Sequence, residues 1–134
     1  MQPDMEQGKA TVLFVEDDPA MLSLARMGLE AAGYVVLLAA NGQEALTHYR
    51  RAHSDVDLAI VDLVLPDIRG TDLIGELLLI DDTVPILFAT GLCMEEAQDA
   101  ISAGALDLIH KPYSLTQLCD ELDRFGPVSA ENVG

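Results

Sequence analysis

Short apolar runs alternate with longer amphipathic stretches between residues 10 and 125 of the chain. An alternation of this kind, repeated along a chain, is typical of βα units arranged around a parallel sheet. The pattern predicts five such units, and therefore an α/β fold with five strands and five helices. The predicted strands cover residues 11–15, 34–39, 58–61, 84–89 and 106–110.

Capping residues and helix breakers set the predicted helix boundaries. Pro19 suits the first turn of the first helix, and Gly33 ends it. Side chains that accept hydrogen bonds from free backbone amides start two of the remaining helices. The second helix starts at the N-cap pair Asn41 and Glu44, and the fifth at the capping box Ser114 and Gln117. The third lies near residues 72–80, and the fourth runs from about residue 95 to a C-cap at Gly104.

Length and composition fit one folded domain. The chain has 134 residues, 50% of them hydrophobic, and a mean hydropathy of +0.26. At roughly 150 residues per domain, a second folded domain does not fit. We expect an N-terminal tail at residues 1–9, the folded domain at 10–125, and a C-terminal tail or linker at 126–134.

The charge balance restricts the classes of partner. Seven Lys and Arg residues face 23 Asp and Glu residues, which gives a formal net charge of −16. Such a chain repels a phosphate backbone and an anionic membrane surface, so neither nucleic acid nor membrane is an expected partner. No apolar run approaches the ~20 residues that span a bilayer. Because the two cysteines show no CxxC or metal-ligand spacing, we expect a reducing, cytoplasmic location.

Polar residues follow four of the predicted strands, at the point where each apolar run ends. Right-handed crossovers bring the carboxyl ends of parallel strands to one edge of the sheet, where open α/β sheets place their sites. We therefore expect these side chains to share one pocket. They are Glu16 and Asp17 after the first strand, Asp62 after the third, Thr90 after the fourth and Lys111 after the fifth.

This set of side chains suits phosphoryl chemistry. Carboxylates that share a pocket repel each other unless a cation neutralises them, and Mg²⁺ prefers hard oxygen ligands of this kind. A carboxylate can attack a phosphoryl donor when positive charge and hydrogen-bond donors stabilise the transferring oxygens. Lys111 and Thr90 can supply both. The pocket is therefore predicted to form an aspartyl phosphate.

Each of these residues also has a plainer interpretation. The acidic run at residues 16–18 can stabilise the following helix by interacting with the positive end of its dipole, and Asp62 can begin an Asx turn. Thr90 can be a loop hydroxyl, and Lys111 a solvated surface lysine. Their joint occurrence at the strand ends favours the phosphoacceptor site.

Four short motifs resemble the receiver domains of two-component response regulators, over about residues 11–125. The resemblance implies a flavodoxin-like fold, with a doubly wound five-stranded parallel sheet of order 2-1-3-4-5 and five helices. The motifs are Val15-Glu16-Asp17-Asp18-Pro19, Asp62-Leu63-Val64-Leu65-Pro66, Ala89-Thr90-Gly91 and His110-Lys111-Pro112.

The same resemblance implies roles for individual residues. Mg²⁺ is the implied metal, with Mn²⁺ as a substitute, and the peptide bond before Pro112 is expected to be cis. The implied catalytic residues are Asp62 as phosphoacceptor, with Thr90 and Lys111 on the phosphoryl oxygens. The implied metal ligands are Asp17, Asp62, the backbone carbonyl of Val64, and Glu16 through a metal-bound water.

A signalling function follows from the resemblance. A histidine kinase or a histidine phosphotransfer protein would pass a phosphoryl group to Asp62, and the phosphorylated domain would change its contacts with a downstream protein. The chemistry would be self-catalysed phosphoryl transfer and autodephosphorylation rather than metabolic catalysis. The alternative is a pseudo-receiver, a phosphorylation-independent interaction module, which only Leu108 favours, because many receivers carry an aromatic residue there. A phosphatase with an Asp nucleophile is disfavoured because Val64 stands where such enzymes carry an acid.

The third predicted helix ends in the apolar run 77–80, which covers more than one helix face. One interpretation is local burial under the loop at residues 81–82. The other is a surface for a partner protein or for self-association into a homodimer.

Overall fold

The computed structural model describes residues 10–62, 64–91, 94–111 and 113–125, without the side chains of residues 90, 94, 96 and 125. The two predicted tails and the peptide bond before Pro112 lie outside these residues. The described strands form one parallel sheet of order β2-β1-β3-β4-β5, which confirms the predicted topology. The strands are β1 (Thr11–Val15), β2 (Val35–Ala39), β3 (Leu58–Asp62), β4 (Ile86–Thr90) and β5 (Asp107–His110).

Helices connect the strands in the predicted order, and a short 3₁₀ turn, His53–Asp55, follows the second helix. None of the described helices is both long enough and apolar enough to cross a bilayer. The helices are α1 (Pro19–Ala31), α2 (Gly42–Ala52), α3 (Gly70–Ile80), α4 (Met94–Ala103) and α5 (Leu115–Phe125).

Strand and helix boundaries differ from the prediction by one or two residues. The fourth strand starts at Ile86 rather than residue 84, because Pro85 has no amide to donate to the ladder. Backbone pairing extends the same strand to Thr90, beside His110 of β5. The third helix begins at Gly70 rather than near residue 72.

Both faces of the sheet are covered by helices. Adjacent residues of β1 enter different cores, since Leu13 packs with α2, α3 and α4, whereas Phe14 packs with α1 and α5. Strands buried on both faces have no polar side, which explains why the central strands β1, β3 and β4 are apolar runs up to their ends, whereas the edge strand β5 carries Asp107 and an exposed His110. The polar residues that follow the strands are therefore confined to the edges of the sheet.

Side-chain caps start three of the helices. Asp18 Oδ1 accepts a hydrogen bond from the Ala20 amide at the start of α1, at 2.9 Å. Asn41 Oδ1 accepts from the Glu44 amide at the start of α2, at 2.8 Å. The predicted capping box of α5 is reciprocal, because Ser114 Oγ accepts from the Gln117 amide and Gln117 Oε1 from the Ser114 amide.

The apolar run at the end of α3 is mostly buried. Leu77 is fully buried, and Leu78 and Ile80 pack against the core beneath α3. Leu79 alone in this run is exposed, at 88%. Local burial therefore accounts for three of the four residues, although Leu78 packs against Gly104 rather than under the loop at 81–82.

Gly104 ends α4 with a φ of 123°, a backbone conformation that favours glycine. A Cβ atom at this position would also overlap the Leu78 side chain. We expect Gly104→Ala to lower the free energy of unfolding by about 1–3 kcal/mol. Gly75→Ala is the control, because a Cβ there meets no atom within 4 Å, and it should stabilise helix α3 by about 0.5–1 kcal/mol. Equal effects of the two substitutions in urea denaturation would contradict this.

Asp81 ties the loop after α3 to α2. Its carboxylate accepts hydrogen bonds from the Thr83 hydroxyl and amide and lies 2.8 Å from His53 Nδ1. Its backbone carbonyl accepts a hydrogen bond from the Tyr49 hydroxyl at 2.9 Å. The Thr83 hydrogen bonds, followed by the contact with His53, lower the pKa of Asp81 to about 2.

The pKa of Asp81 predicts a specific pH dependence. A carboxyl group whose pKa is lowered by folding stabilises the fold above its unfolded pKa, and the stabilisation is lost as pH falls through the folded value. We therefore expect the wild type to be more stable than Asp81→Asn by a constant margin above about pH 4, and this margin to shrink between about pH 4 and pH 2. Urea denaturation at several pH values measures it. A margin that does not change with pH would refute the assignment.

Candidate phosphoacceptor and metal site

Three strand ends supply the candidate site. Glu16 directly follows β1, Asp62 is the last residue of β3, and Lys111 directly follows β5. The two acids are the buried charged residues of the described chain, with 2% and 5% of their surfaces exposed. Burying a charge requires a compensating partner, because the charge loses its hydration. The site must therefore supply positive charge.

Lys111 supplies that charge to both acids at once. Its Nζ atom lies 3.1 Å from Glu16 Oε1 and 3.0 Å from Asp62 Oδ1. The lysine side chain is 29% exposed, whereas the side chains of the two acids are 3% and 7% exposed. The ammonium group thus joins the ends of two strands of the sheet, and its side chain is the most exposed of the three.

The pKa values of Glu16 and Lys111 follow from this arrangement. Burial and the nearby charge of Asp62 raise the pKa of Glu16, against the opposing effect of Lys111. Burial alone would lower the pKa of Lys111, but its hydrogen bonds to Asp62 and Glu16 outweigh that effect and raise it. The ammonium is consequently charged at neutral pH and able to stabilise further negative charge.

Asp17 completes an acidic cluster that fits a divalent cation. Carboxylate oxygens of Glu16, Asp17 and Asp62 lie within 4.8 Å of one another. Carboxylate oxygens are the hard ligands that Mg²⁺ prefers, so these three residues could hold such an ion. The one ammonium pairs with Glu16 and Asp62 and leaves Asp17, so the cluster carries excess negative charge. Asp17 is exposed, so water can reach the cluster from its side.

Two other predicted site residues lie at the same edge of the sheet. Val64 stands two residues after Asp62 in the loop to α3, where it forms an antiparallel bridge with Arg69. Thr90 ends β4 beside His110, so its backbone lies at the edge that carries the acids. The Thr90 side chain lies outside the described part of the structure, and its contact with a phosphoryl group stays a prediction.

Sequence reasoning missed Tyr113, which lies next to the site. Its hydroxyl is buried and has no hydrogen-bond partner among the described residues. With Lys111, Asp18 and two other residues it lines a cavity of about 470 Å³. Burial, followed by the charges of Glu16 and Asp62, raises the pKa of Tyr113. Its position two residues after the lysine was the signal that could have drawn attention to it.

A family model places this architecture among known proteins. The model of the response regulator receiver domain matches residues 12–123. The chain belongs to the response regulator receiver domain family. Receiver domains interact with histidine kinases and typically bind Mg²⁺ at an acidic pocket.

Solved receiver structures share this fold. The chain superposes on the chemotaxis protein CheY4 of Vibrio cholerae with a TM-score of 0.81 and 29% identity, covering 87% of this chain and 98% of that one. Five strands in the order 2-1-3-4-5 with five helices are therefore the CheY-like arrangement.

Curated relatives are longer than this receiver domain. It is 37% identical to the transcriptional regulatory protein CusR of Escherichia coli, over 80% of this chain and 47% of CusR. It is 34% identical to the sensor kinase CckA of Brucella abortus, over 83% of this chain and 12% of CckA. The matches thus cover between about a quarter and half of the length of these transcriptional regulators.

Replacement of Lys111 tests the charge balance of the site. We expect Lys111→Met to destabilise the metal-free receiver domain, because Glu16 and Asp62 are then buried without a counter-charge. The loss should stay below the roughly 3–5 kcal/mol of a fully buried pair, since the ammonium is partly exposed. Adding Asp62→Asn in the same chain should recover part of the loss, because it removes one of the repelling charges. Urea denaturation of the two variants measures both effects, and no recovery would contradict the repulsion.

Proposed function

We propose that this receiver domain accepts a phosphoryl group on Asp62 from the phosphohistidine of a histidine kinase or a histidine phosphotransfer protein, and that this changes its contacts with a downstream protein. The observation that supports it best is the position of Lys111 Nζ, 3.0 Å from Asp62 Oδ1 in a pocket of acids. A carboxylate held beside a fixed ammonium is placed to act as nucleophile while the ammonium stabilises the transferred group.

The transfer is an exchange of one bond for another. An Asp62 carboxylate oxygen attacks phosphorus, the phosphorus–nitrogen bond of the donor breaks, and the donor imidazole nitrogen keeps the electron pair and takes up a proton. Lys111 donates hydrogen bonds to the phosphoryl oxygens, and the negative charge of these oxygens strengthens the bonds. Thr90 is the second proposed donor to these oxygens. Hydrolysis of the acyl phosphate by water returns Asp62 to its free form.

The acidic cluster is the proposed Mg²⁺ site. Asp17, Asp62 and the backbone carbonyl of Val64 would bind the ion directly, and Glu16 would hold a metal-bound water. A bound Mg²⁺ supplies positive charge that offsets the charge of the carboxylates and of the incoming phosphoryl group. Mn²⁺ has the same preference for oxygen ligands and can take its place. The three carboxylates within 4.8 Å support this assignment.

Phosphorylation of Asp62 would alter the outer surface of this domain by a different route from that in many receivers. Phosphorylation adds a charge of about −1.5 to −2 at Asp62, and receivers commonly pass this to the outer surface through an aromatic side chain on β5. Leu108 occupies that position, partly buried beside Phe88 in the core under α3 and α4. A change of Leu108 rotamer is the proposed substitute. The pseudo-receiver alternative rests on Leu108 alone and gains no support from the intact arrangement of Asp62 and Lys111.

Phosphorylation by a small donor tests the proposal. We expect the protein, incubated with Mg²⁺ and acetyl phosphate, to gain the mass of one phosphoryl group, and Asp62→Ala to gain none. Omission of the metal or addition of a chelator should also abolish the gain. Intact-mass spectrometry measures each case.

Asp18→Ser provides the matched control. It removes an adjacent carboxylate that caps α1 and lies outside the acidic cluster, and serine keeps a capping oxygen. This variant should be phosphorylated like the wild type. Phosphorylation that persists in folded Asp62→Ala would refute the assignment, and a folded wild type that gains no mass would favour the pseudo-receiver.

A further inference from the structure

A neighbouring helix, α2, holds the loop between β3 and α3 in place. The Asp67 side chain in this loop accepts two backbone hydrogen bonds, from the Gly42 amide at 2.8 Å and the Gln43 amide at 3.0 Å. Both amides belong to the first turn of α2, where backbone donors have no partner inside the helix. The loop therefore supplies a cap to a helix that begins 25 residues earlier in the chain.

Each carboxylate oxygen of Asp67 has its own partner. Oδ1 binds Gly42 and Oδ2 binds Gln43, so the side chain cannot rotate without losing a hydrogen bond. The Gly42 amide holds the pKa of Asp67 below its ordinary value. The carboxylate is consequently ionised at neutral pH, which is the form favoured at the positive end of a helix dipole.

Packing reinforces this attachment. Ile68 lies against Gly42 so closely that a Cβ atom on the glycine would overlap its side chain. On the other side of the loop, Leu65 is buried in the core and Val64 pairs with Arg69 across the loop. The short segment that carries Val64 is thus fixed both to the core and to the start of α2.

We propose that Asp67 is a positioning residue for the metal site, holding the β3–α3 loop against α2 so that the Val64 backbone carbonyl is in place before Mg²⁺ binds. This inference rests on the proposed function, which makes Val64 a ligand. A loop that must be ordered on binding costs conformational entropy, and prior fixation removes that cost from the binding free energy. Removal of the attachment should therefore weaken Mg²⁺ binding without touching a carboxylate of the cluster.

The test compares two caps on the same helix. Asp67→Ala removes the attachment of the loop, whereas Asn41→Ala removes a cap hydrogen bond to Glu44 at the start of α2 and leaves the loop bonds in place. Each variant is titrated with Mg²⁺ alone and followed by the amide resonances of the ¹⁵N-labelled protein. We expect Asp67→Ala to weaken Mg²⁺ binding by roughly tenfold or more. This is the low end of the loss in metal affinity seen when a residue that orients a metal ligand is replaced. Asn41→Ala should bind Mg²⁺ as the wild type does.

The outcomes separate this inference from the function on which it rests. Unchanged Mg²⁺ affinity in Asp67→Ala overturns it, as does an equal loss in both variants, which would show a general effect of α2 stability. Asp67→Asn keeps one acceptor oxygen, and its affinity should fall between those of the wild type and Asp67→Ala. If the wild type itself binds no Mg²⁺ and gains no phosphoryl group, the proposed function fails first.

Discussion

Repulsion between two buried carboxylates, offset by one ammonium, is the constraint on which the site depends. Glu16 directly follows β1, Asp62 ends the neighbouring strand β3, and Lys111 reaches both from the far side of β4. The three groups meet only if the strands run parallel in this order. The sheet can hold the acids there because both of its faces are apolar and the edge alone is open to ions and water.

Local and periodic features were predictable from the sequence. Five short apolar runs that alternate with amphipathic stretches indicated a parallel sheet with helices between its strands, and the caps at Asn41 and Ser114 were found from spacing alone. The approach of Glu16, Asp62 and Lys111 followed from parallel topology. Each of these depends on neighbours in sequence or on one rule of chain connection.

Contacts between distant segments were not predictable in the same way. The hydrogen bonds of Asp67 could not be found from spacing because its partners on α2 lie 24 and 25 residues away. Nothing in the pattern separated Leu79, which is exposed, from Leu78, which is covered by the turn at Gly104. The start of β4 was misplaced because the apolar pattern extends through Pro85, whose carbonyl accepts a hydrogen bond from the Ala59 amide but whose nitrogen has no hydrogen to donate. Such details depend on which surfaces meet in three dimensions.

Separation of the acidic edge from the helical surface has an evolutionary consequence. The carboxylates and the ammonium lie at strand ends, whereas exposed apolar side chains such as Leu24 and Met27 lie on helix α1. Substitutions on the helices can therefore accumulate under selection for partner choice while the chemistry at the edge is inherited intact. Duplicated genes encoding this fold can therefore diverge in partner specificity while the residues at the sheet edge stay the same.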